Sequence, residues 1–225
     1  NFDYDEEGNV IKSQNLKSLS YNPKSKLSKV ITKNGKTITY EYDHDDDNTI
    51  KRINGKITDV KINEFMEIED GGLKYNILAN GKRIAEMDAK DGATYFHKDH
   101  LNSNTILTNE KGKVIAEETY APYGGTEEVK GSNVSKYKYT GKEKDRDTGL
   151  YDYGARFYDP GVGRFIQPDP LLTENPEKAL LDPIQLNSHN LRQSRRLEIV
   201  NRSKRFVYFC VSNKFSCSIR CSSFS

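Results

Sequence analysis

Tryptophan is absent from the 225 residues, and the three cysteines all lie after residue 209. A body without cysteine carries no disulfide framework and tolerates either redox compartment. No stretch reaches the roughly 18 apolar residues that a membrane-spanning helix requires. The opening "NFDYDEEGNV" lacks the basic and apolar regions of a secretory signal, so any export information is expected to lie upstream of this chain or to be absent. Apolar residues are also scarce, at 34% with a mean hydropathy of −0.84. A chain of this length can bury roughly 70% of its unfolded surface, but so polar a composition is thin for an independent core. The 14 tyrosines indicate that many buried positions hold half-polar rings whose hydroxyls need partners. The composition is that of a module of something larger.

The formal charge of +2 averages two unlike regions. Residues 187–225 hold eight Lys and Arg against Glu198, which is 8 − 1 = +7, and leave 2 − 7 = −5 for residues 1–186. Those last 39 residues contain all three cysteines and nine serines, with no glycine or proline. The composition therefore breaks near residue 187.

What is present is repetition. Asn-Gly-Lys or Lys-Gly-Lys followed by apolar alternation occurs four times, in "NGKTITYEYD", "NGKITDVKI", "NGKRIAEMD" and "KGKVIAEETY". Each reads as a turn entering a strand, because a type I′ turn needs φ > 0 at both central positions and Asn-Gly supplies it at low steric cost. Hairpins are expected at Asn34-Gly35, Asn54-Gly55, Asn80-Gly81 and Lys111-Gly112. In "TITYEYD", Ile38, Tyr40 and Tyr42 fall on one face and Thr39, Glu41 and Asp43 on the other. A second recurring element is aromatic-Asp before a turn: "YDEEGNV" has Gly8-Asn9, and "YDHDDDNTI" is expected to use Asp47-Asn48 in the same place, since Asp and Asn also visit left-handed conformations.

These spaced Tyr-Asp units resemble the YD repeats of Rhs proteins. Tyr95–Gly125, "YFHKDHLNSNTILTNEKGKVIAEETYAPYGG", is similar to the family's H-x-D-H-L-G-S strand and hairpin, with Asn102 where glycine is usual. Tyr137–Pro170, "YKYTGKEKDRDTGLYDYGARFYDPGVGRFIQPDP", closely resembles the Rhs repeat-associated core signature. The resemblance covers about residues 1–170. It implies a mainly β fold, an antiparallel sheet of YD-repeat hairpins forming part of an Rhs shell, with an irregular C-terminal tail. The expected divisions are repeat hairpins over 1–136, the core segment over 137–170, a linker over 171–191 and an aberrant, poorly ordered basic Ser/Cys-rich tail over 192–225. With so few repeats the sheet is expected to be open and to leave an edge exposed.

In the family such a shell encloses a variable C-terminal toxin. The resemblance therefore implies a structural delivery role and a secreted or cell-surface location. The implied partners are the rest of the shell or the toxin, and an immunity protein. The payload is expected to be absent or degenerate here, because the pattern stops after Leu191 in favour of a frame-shifted or truncated end. The tail "RQSRRLEIVNRSKRF" lacks an ordered nucleic-acid motif, so no specific nucleic acid is implied. No cofactor is implied either.

The core segment supplies the candidate structural residues Gly149, Tyr151, Arg156, Tyr158, Asp159, Gly163, Arg164, Phe165 and Pro170. Its glycines and prolines bend and end strands. Its polar residues admit two roles. Arg156 and Arg164 could bridge Asp152, Asp159 or Asp169 by bidentate pairing. Alternatively, Asp169 is one member of a proton-sharing aspartyl pair, since the family's core segment often releases its payload by self-cleavage. The second motif of that chemistry, Asp-Pro-x-Gly-Leu, is matched only by "DPIQL" from Asp182, with Gln185 at the glycine position. An inactive chain is expected, with Asp169 an ordinary hydrated rim acid beside Arg164.

Metal binding finds little support. His97 and His100 at i, i+3 on a strand point to opposite faces. "DHDDDN" lacks the glycine and glutamate register of a calcium loop, and "CVSNKFSCSIRC" fits no zinc spacing.

Overall fold

The computed structural model describes residues 2–90, 92–131 and 135–170, and within them β-structure dominates. A two-stranded ribbon, β1 (Asp3–Tyr4) and β2 (Val10–Lys12), precedes a twelve-stranded antiparallel sheet. Its first half is β3 (Leu16–Tyr21), β4 (Leu27–Thr32), β5 (Thr37–Tyr42), β6 (Asn48–Ile53), β7 (Lys56–Lys61) and β8 (Met66–Glu69). The second half is β9 (Gly72–Ala79), β10 (Lys82–Asp88), β11 (Gly92–Lys98), β12 (Asn104–Asn109), β13 (Val114–Tyr120) and β14 (Thr126–Gly131). Every strand pairs with its neighbours in sequence, so the sheet is an open meander with β3 and β14 at its edges. A closing segment follows, with one 3-10 turn (Tyr139–Gly141) and a four-stranded sheet of β15 (Glu143–Lys144), β16 (Tyr151–Asp152), β17 (Phe157–Asp159) and β18 (Arg164–Phe165). The linker and tail expected over 171–225 lie outside the described residues.

Two turn chemistries drive the meander. Asn54-Gly55 and Asn80-Gly81 have φ of 50° and 84°, and of 50° and 68°, as a type I′ turn demands. Asp70-Gly71 adds a third such pair, with φ of 50° and 82°, between β8 and β9. At Asn34-Gly35 and Lys111-Gly112 only the glycine is left-handed, so these two depart from the expected type I′ geometry. They belong to a longer loop in which Thr32 N–H donates to Lys36 O and Gly35 N–H to Thr32 O, and likewise Asn109 to Lys113 and Gly112 to Asn109.

This five-residue loop is also what the Tyr-Asp units encode. Asp5, Asn22, Asp43, Asp99 and Asn109 each open one, with Gly8, Ser25, Asp46, Asn102 and Gly112 left-handed three residues on. The opening side chain closes the loop on itself: Asp99 Oδ1 accepts Leu101 N–H at 2.8 Å and Ser103 N–H at 2.7 Å, an Asx turn. Asp43 Oδ1 does the same for Asp45 and Asp47, both at 3.0 Å. The left-handed residue after Tyr42 is thus Asp46, one position earlier than the expected Asp47-Asn48. Counting from the opening carboxylate, rather than from the following strand, gives the correct register.

The tyrosines complete the device. Tyr21 OH donates to Val10 O at 2.6 Å, Tyr42 OH to Leu27 O at 2.6 Å and Tyr120 OH to Asn104 O at 2.7 Å. In these three a ring fills space beside the sheet while its hydroxyl ties one repeat to an earlier strand.

Candidate functional site: the closing segment and its two seams

The face of the large sheet covered by the closing segment is here termed inner. Over β3–β5 this face is apolar, because the strand alternation turns Val30, Ile38 and Tyr40 inward. Leu150, Phe157 and Ile166 of the closing segment pack with these and with Val10, Leu16, Leu19 and Leu27 in one core cluster. Tyr40 and Phe157 rings meet at 5.1 Å, and Tyr40 OH donates to Asp145 Oδ2 at 2.7 Å. Val10 N–H donates to Ile166 O at 2.9 Å, which joins the end of the closing segment to the first ribbon.

Over β6–β10 the inner face changes character. Lys51, Asp59, Lys61, Glu67, Glu69, Lys74 and Glu86 occupy its positions, and the closing segment answers with charge. Lys136 Nζ lies 3.1 Å from Glu67, 3.2 Å from Glu143 and 3.6 Å from Asp59. These are ion-pair distances without hydrogen-bond alignment, since Lys136 Nζ makes no hydrogen bond. Lys61 bridges Glu143 at 2.8 Å and Asp152 at 3.3 Å. Lys51 bridges Asp145 and Asp147, and Arg146 reaches Glu69. Tyr137 OH donates to Glu67 Oε2 and Ser135 Oγ to Glu86 Oε2. At β13, Lys138 pairs with the buried Glu118.

The charges in this seam are tuned in opposite directions. Burial disfavours the Glu143 anion, yet Lys136 and Lys61 outweigh it and hold its carboxyl below the ordinary range. Asp147 is lowered as well, because Lys36 and Lys51 outweigh its burial. For Glu86 burial wins over Lys74 and its carboxyl is pushed up, as it is for Asp59 despite Lys136.

The expected structural residues come together in the four-stranded sheet. Tyr151 and Tyr158 are fully buried and donate to the carbonyls of Gly124 and Tyr123, at 3.1 and 3.0 Å. Phe165 packs edge-on against Tyr158 and Tyr153. Gly149 and Gly163 are left-handed and donate to Asp145 O and Asp159 O. Asp159 is buried and accepts Gly161 N–H at 2.8 Å; its carboxyl is pushed up by burial, partly offset by the Gly161 and Val162 amides. Pro170 is exposed at the end of the described chain.

Asp169 differs from expectation. It is 2% exposed rather than hydrated, and its partner is the equally buried Arg156, at 2.9 Å, rather than Arg164. Arg156 also lies 3.9 Å over the Phe165 ring. Arg164 is exposed and forms no ion pair with a described residue, although it pairs in register with Asp159. The reason is strand direction: Arg156 precedes β17 and its guanidinium reaches Asp169, whereas Arg164 alternates outward beside the buried Phe165. Asp182 lies outside the described residues.

His97 lies on β11 and bonds Thr108 Oγ1 at 3.0 Å, while His100 is exposed in the Asp99 loop. Among the described residues no three His, Cys, Asp or Glu are grouped to hold a metal ion. No helix among them is long and apolar enough to cross a membrane. Sequence reasoning missed the ionic seam. Its one signal was the alternation "MEIED", Glu67 and Glu69 against Met66 and Ile68, which reads equally well with the charges facing out.

Comparison with known proteins agrees with this architecture. The chain is 31% identical over 199 residues to Salivary gland surface protein 1 of Aedes aegypti, covering 75% of this chain and 6% of that one. It is 37% identical over 87 residues to Toxin subunit YenC1 of Yersinia entomophaga, covering 36% and 9%. The solved structure of TcdB2-TccC3 superposes with a TM-score of 0.67 at 22% identity over 85% of this chain and 10% of that one, a likeness of fold. This chain thus spans under a tenth of the length of those two relatives. The family model of the teneurin YD-shell matches residues 1–196, and the chain belongs to that family.

Proposed function

We propose that this chain is a wall-and-plug segment of a YD shell: a curved strip of hairpins whose closing segment seals its inner face and leads the chain onward to a C-terminal payload. The observation that carries the reading is the double seam. Residues 135–169 engage the first ribbon and the large sheet from β3 to β13 through an apolar half and an ionic half, which suits a structural closure. Relatives named as toxin subunits, and the fold likeness to TcdB2-TccC3, support a delivery role. The partners in this reading are the rest of the shell, the C-terminal toxin and an immunity protein, in a secreted or cell-surface setting. The divisions at 136, 170 and 191 belong to the same proposal. In the longest natural polypeptide that carries this sequence, protease should spare whatever follows Leu191 until the shell is opened. Immediate digestion of that part from the intact shell would overturn the reading.

Self-cleavage is proposed to be absent. What supports this is that Asp169 faces a guanidinium, where a shared proton needs a second carboxylate. Gln185 at the position of the expected glycine adds to it. The chain held for a day at neutral and mildly acidic pH should keep its 25.7 kDa mass. A fragment ending at Leu186 that disappears in Asp169→Asn would show a live site.

A further inference from the structure

The chain repeats one tripeptide, Asn-Gly-Lys, at three hairpin turns, over residues 34–36, 54–56 and 80–82. All three asparagines are exposed. Each precedes a glycine, whose missing side chain leaves its backbone nitrogen open to close approach by the asparagine carboxamide. What differs is how the fold holds each carboxamide. Asn54, after β6, and Thr37, at the start of β5, clamp each other: Asn54 N–H donates to Thr37 O at 2.8 Å, and Thr37 N–H donates to Asn54 Oδ1 at 2.9 Å. Asn34 Oδ1 accepts the Thr32 hydroxyl within its own loop. Among the described residues, no hydrogen bond holds the Asn80 side chain. The strands repeat the contrast. β9 pairs with β8 only from Gly72 to Tyr75, and β10 with β11 only from Ala85 to Asp88. Asn76 N–H still donates to Phe65 O at 2.8 Å, but beyond it the β9–β10 hairpin has strand pairing with itself alone. Ile77 and Ile84 there are 40% and 41% exposed.

We propose that Asn80-Gly81 is a self-modification site, at which the asparagine closes onto the following amide and reopens as aspartate or isoaspartate. The Gly81 nitrogen gives its proton to solvent base and bonds to Asn80 Cγ. The Cγ–Nδ2 bond breaks, the side-chain nitrogen leaves as ammonia, and a five-membered imide links the two residues. Water, the one co-reactant, then adds to either carbonyl of the imide. Opening at Cγ gives aspartate. Opening at the Asn80 backbone carbonyl gives isoaspartate, whose main chain runs through the former side chain and is one methylene longer. Closure requires the turn to leave its left-handed geometry, with φ of 50° at Asn80 and 68° at Gly81. Asn54-Gly55 carries the same requirement, at 50° and 84°, so turn type cancels between the two and the Thr37 clamp decides. Isoaspartate would lengthen the two-residue loop that sets the β9–β10 register. Its free α-carboxylate is also a substrate for a carboxyl methyltransferase that uses S-adenosylmethionine.

The test is to hold the whole folded chain in mildly alkaline buffer at physiological temperature and follow the three asparagines in one sample. Peptide mass spectrometry reads the mass gain that replaces NH2 by OH at each. Methyl transfer from S-adenosylmethionine by an isoaspartyl methyltransferase counts the isoaspartate. Asn80 should convert about fivefold faster than Asn54, the factor that corresponds to one hydrogen bond of about 1 kcal/mol, and faster than Asn34. In urea the identical tripeptides lose their different settings, and the three rates should converge. Thr32→Val removes the hydroxyl bound to Asn34 and leaves the β9–β10 hairpin untouched. It should speed Asn34 alone, with circular dichroism confirming the fold. Equal rates at Asn80 and Asn54 in the folded chain, the same rate ratios in urea, or an Asn34 rate indifferent to Thr32→Val would overturn the proposal.

Discussion

At the scale of single residues, the YD pair divides its labour between two bonds. The acid or amide closes a loop on its own backbone, and the aromatic reaches across to an earlier strand. Asn22 and Asn109 stand where Asp5, Asp43 and Asp99 stand elsewhere, so what the position requires is an acceptor oxygen, not a charge. This makes a sharp expectation at Asp99, whose Oδ1 accepts two amide hydrogens. Asp99→Ala should lower stability by about 1–2 kcal/mol, the net worth of two such bonds, whereas Asp99→Asn should stay within a few tenths of the parent. Urea midpoints measure both, and an Asn variant as weak as Ala would mean the charge matters after all. The left-handed position three residues later is more tolerant than sequence reasoning allows, since Ser25 and Asp46 fill it as well as Gly8 and Gly112. Gly124 is an exception for a packing reason: a Cβ there would run into the Tyr139 ring.

At the scale of elements, legibility depended on whether the signal was local. Turns at Asn54-Gly55 and Asn80-Gly81 were readable because two residues specify them. The inward facing of Ile38 and Tyr40 was readable because apolar alternation normally marks the covered face. From β6 to β10 that rule inverts: Glu67, Glu69 and Glu86 are buried while Leu73, Tyr75 and Met87 on the other face are about 40% exposed. Only the charge pattern of a segment some seventy residues away could say which face is covered (Tyr137 to Glu67 is a separation of 70). The Arg156–Asp169 pair was among the bridges the sequence allowed, but its burial and the choice of Arg156 over Arg164 were not legible, since strand direction and not proximity in sequence decides them. The ionic seam should respond to pH in two steps of opposite sign. Glu86 and Asp59 have carboxyls raised by burial, so the folded chain binds their protons more tightly than the unfolded chain. Their cost is present at neutral pH and is relieved as pH falls through the raised values. Glu143 and Asp147 have lowered carboxyls, so their stabilising contribution is full above the ordinary carboxylate range and is lost as pH falls through and below it. Stability should therefore hold or rise slightly on mild acidification and fall steeply only in stronger acid. Glu86→Gln should reduce the rise to the share of Asp59, and Glu143→Gln should weaken the fold at neutral pH. A midpoint that falls steadily from neutral pH, unchanged by Glu86→Gln, would contradict this account.

At the scale of the whole molecule, a single antiparallel sheet has two faces and can bury neither alone. The closing segment supplies the missing layer for one face. Leu27, Val30 and Ile38 are fully buried in the cluster that contains Leu150, Phe157 and Ile166, and the carboxylates of β8 and β10 are charged groups that need Lys136, Arg146, Tyr137 and Ser135. Removing residues 132–225 would expose the first set to water and leave the second without partners, with Lys74 still beside Glu69 and Glu86. The consequences differ along the sheet. Carboxylates returned to water regain their hydration, so β6–β10 should lose little. The apolar surface over β3–β5 has no such compensation, and each large side chain uncovered there forfeits about 1.5–3 kcal/mol of burial. A chain ending at Gly131 should therefore unfold first in its N-terminal half, lose its cooperative transition and bind a hydrophobic dye. Hydrogen exchange should show β3–β5 amides opening before those of β6–β10, whose type I′ turns at Asn54-Gly55, Asp70-Gly71 and Asn80-Gly81 are local. Supplying residues 135–170 as a separate peptide should restore protection in β3–β5, because Leu150, Phe157 and Ile166 carry the seam without needing a covalent link. If the truncated chain kept a cooperative transition and slow exchange in β3–β5, the sheet would be holding itself together. The closing segment would then be a passenger on it and not its second layer.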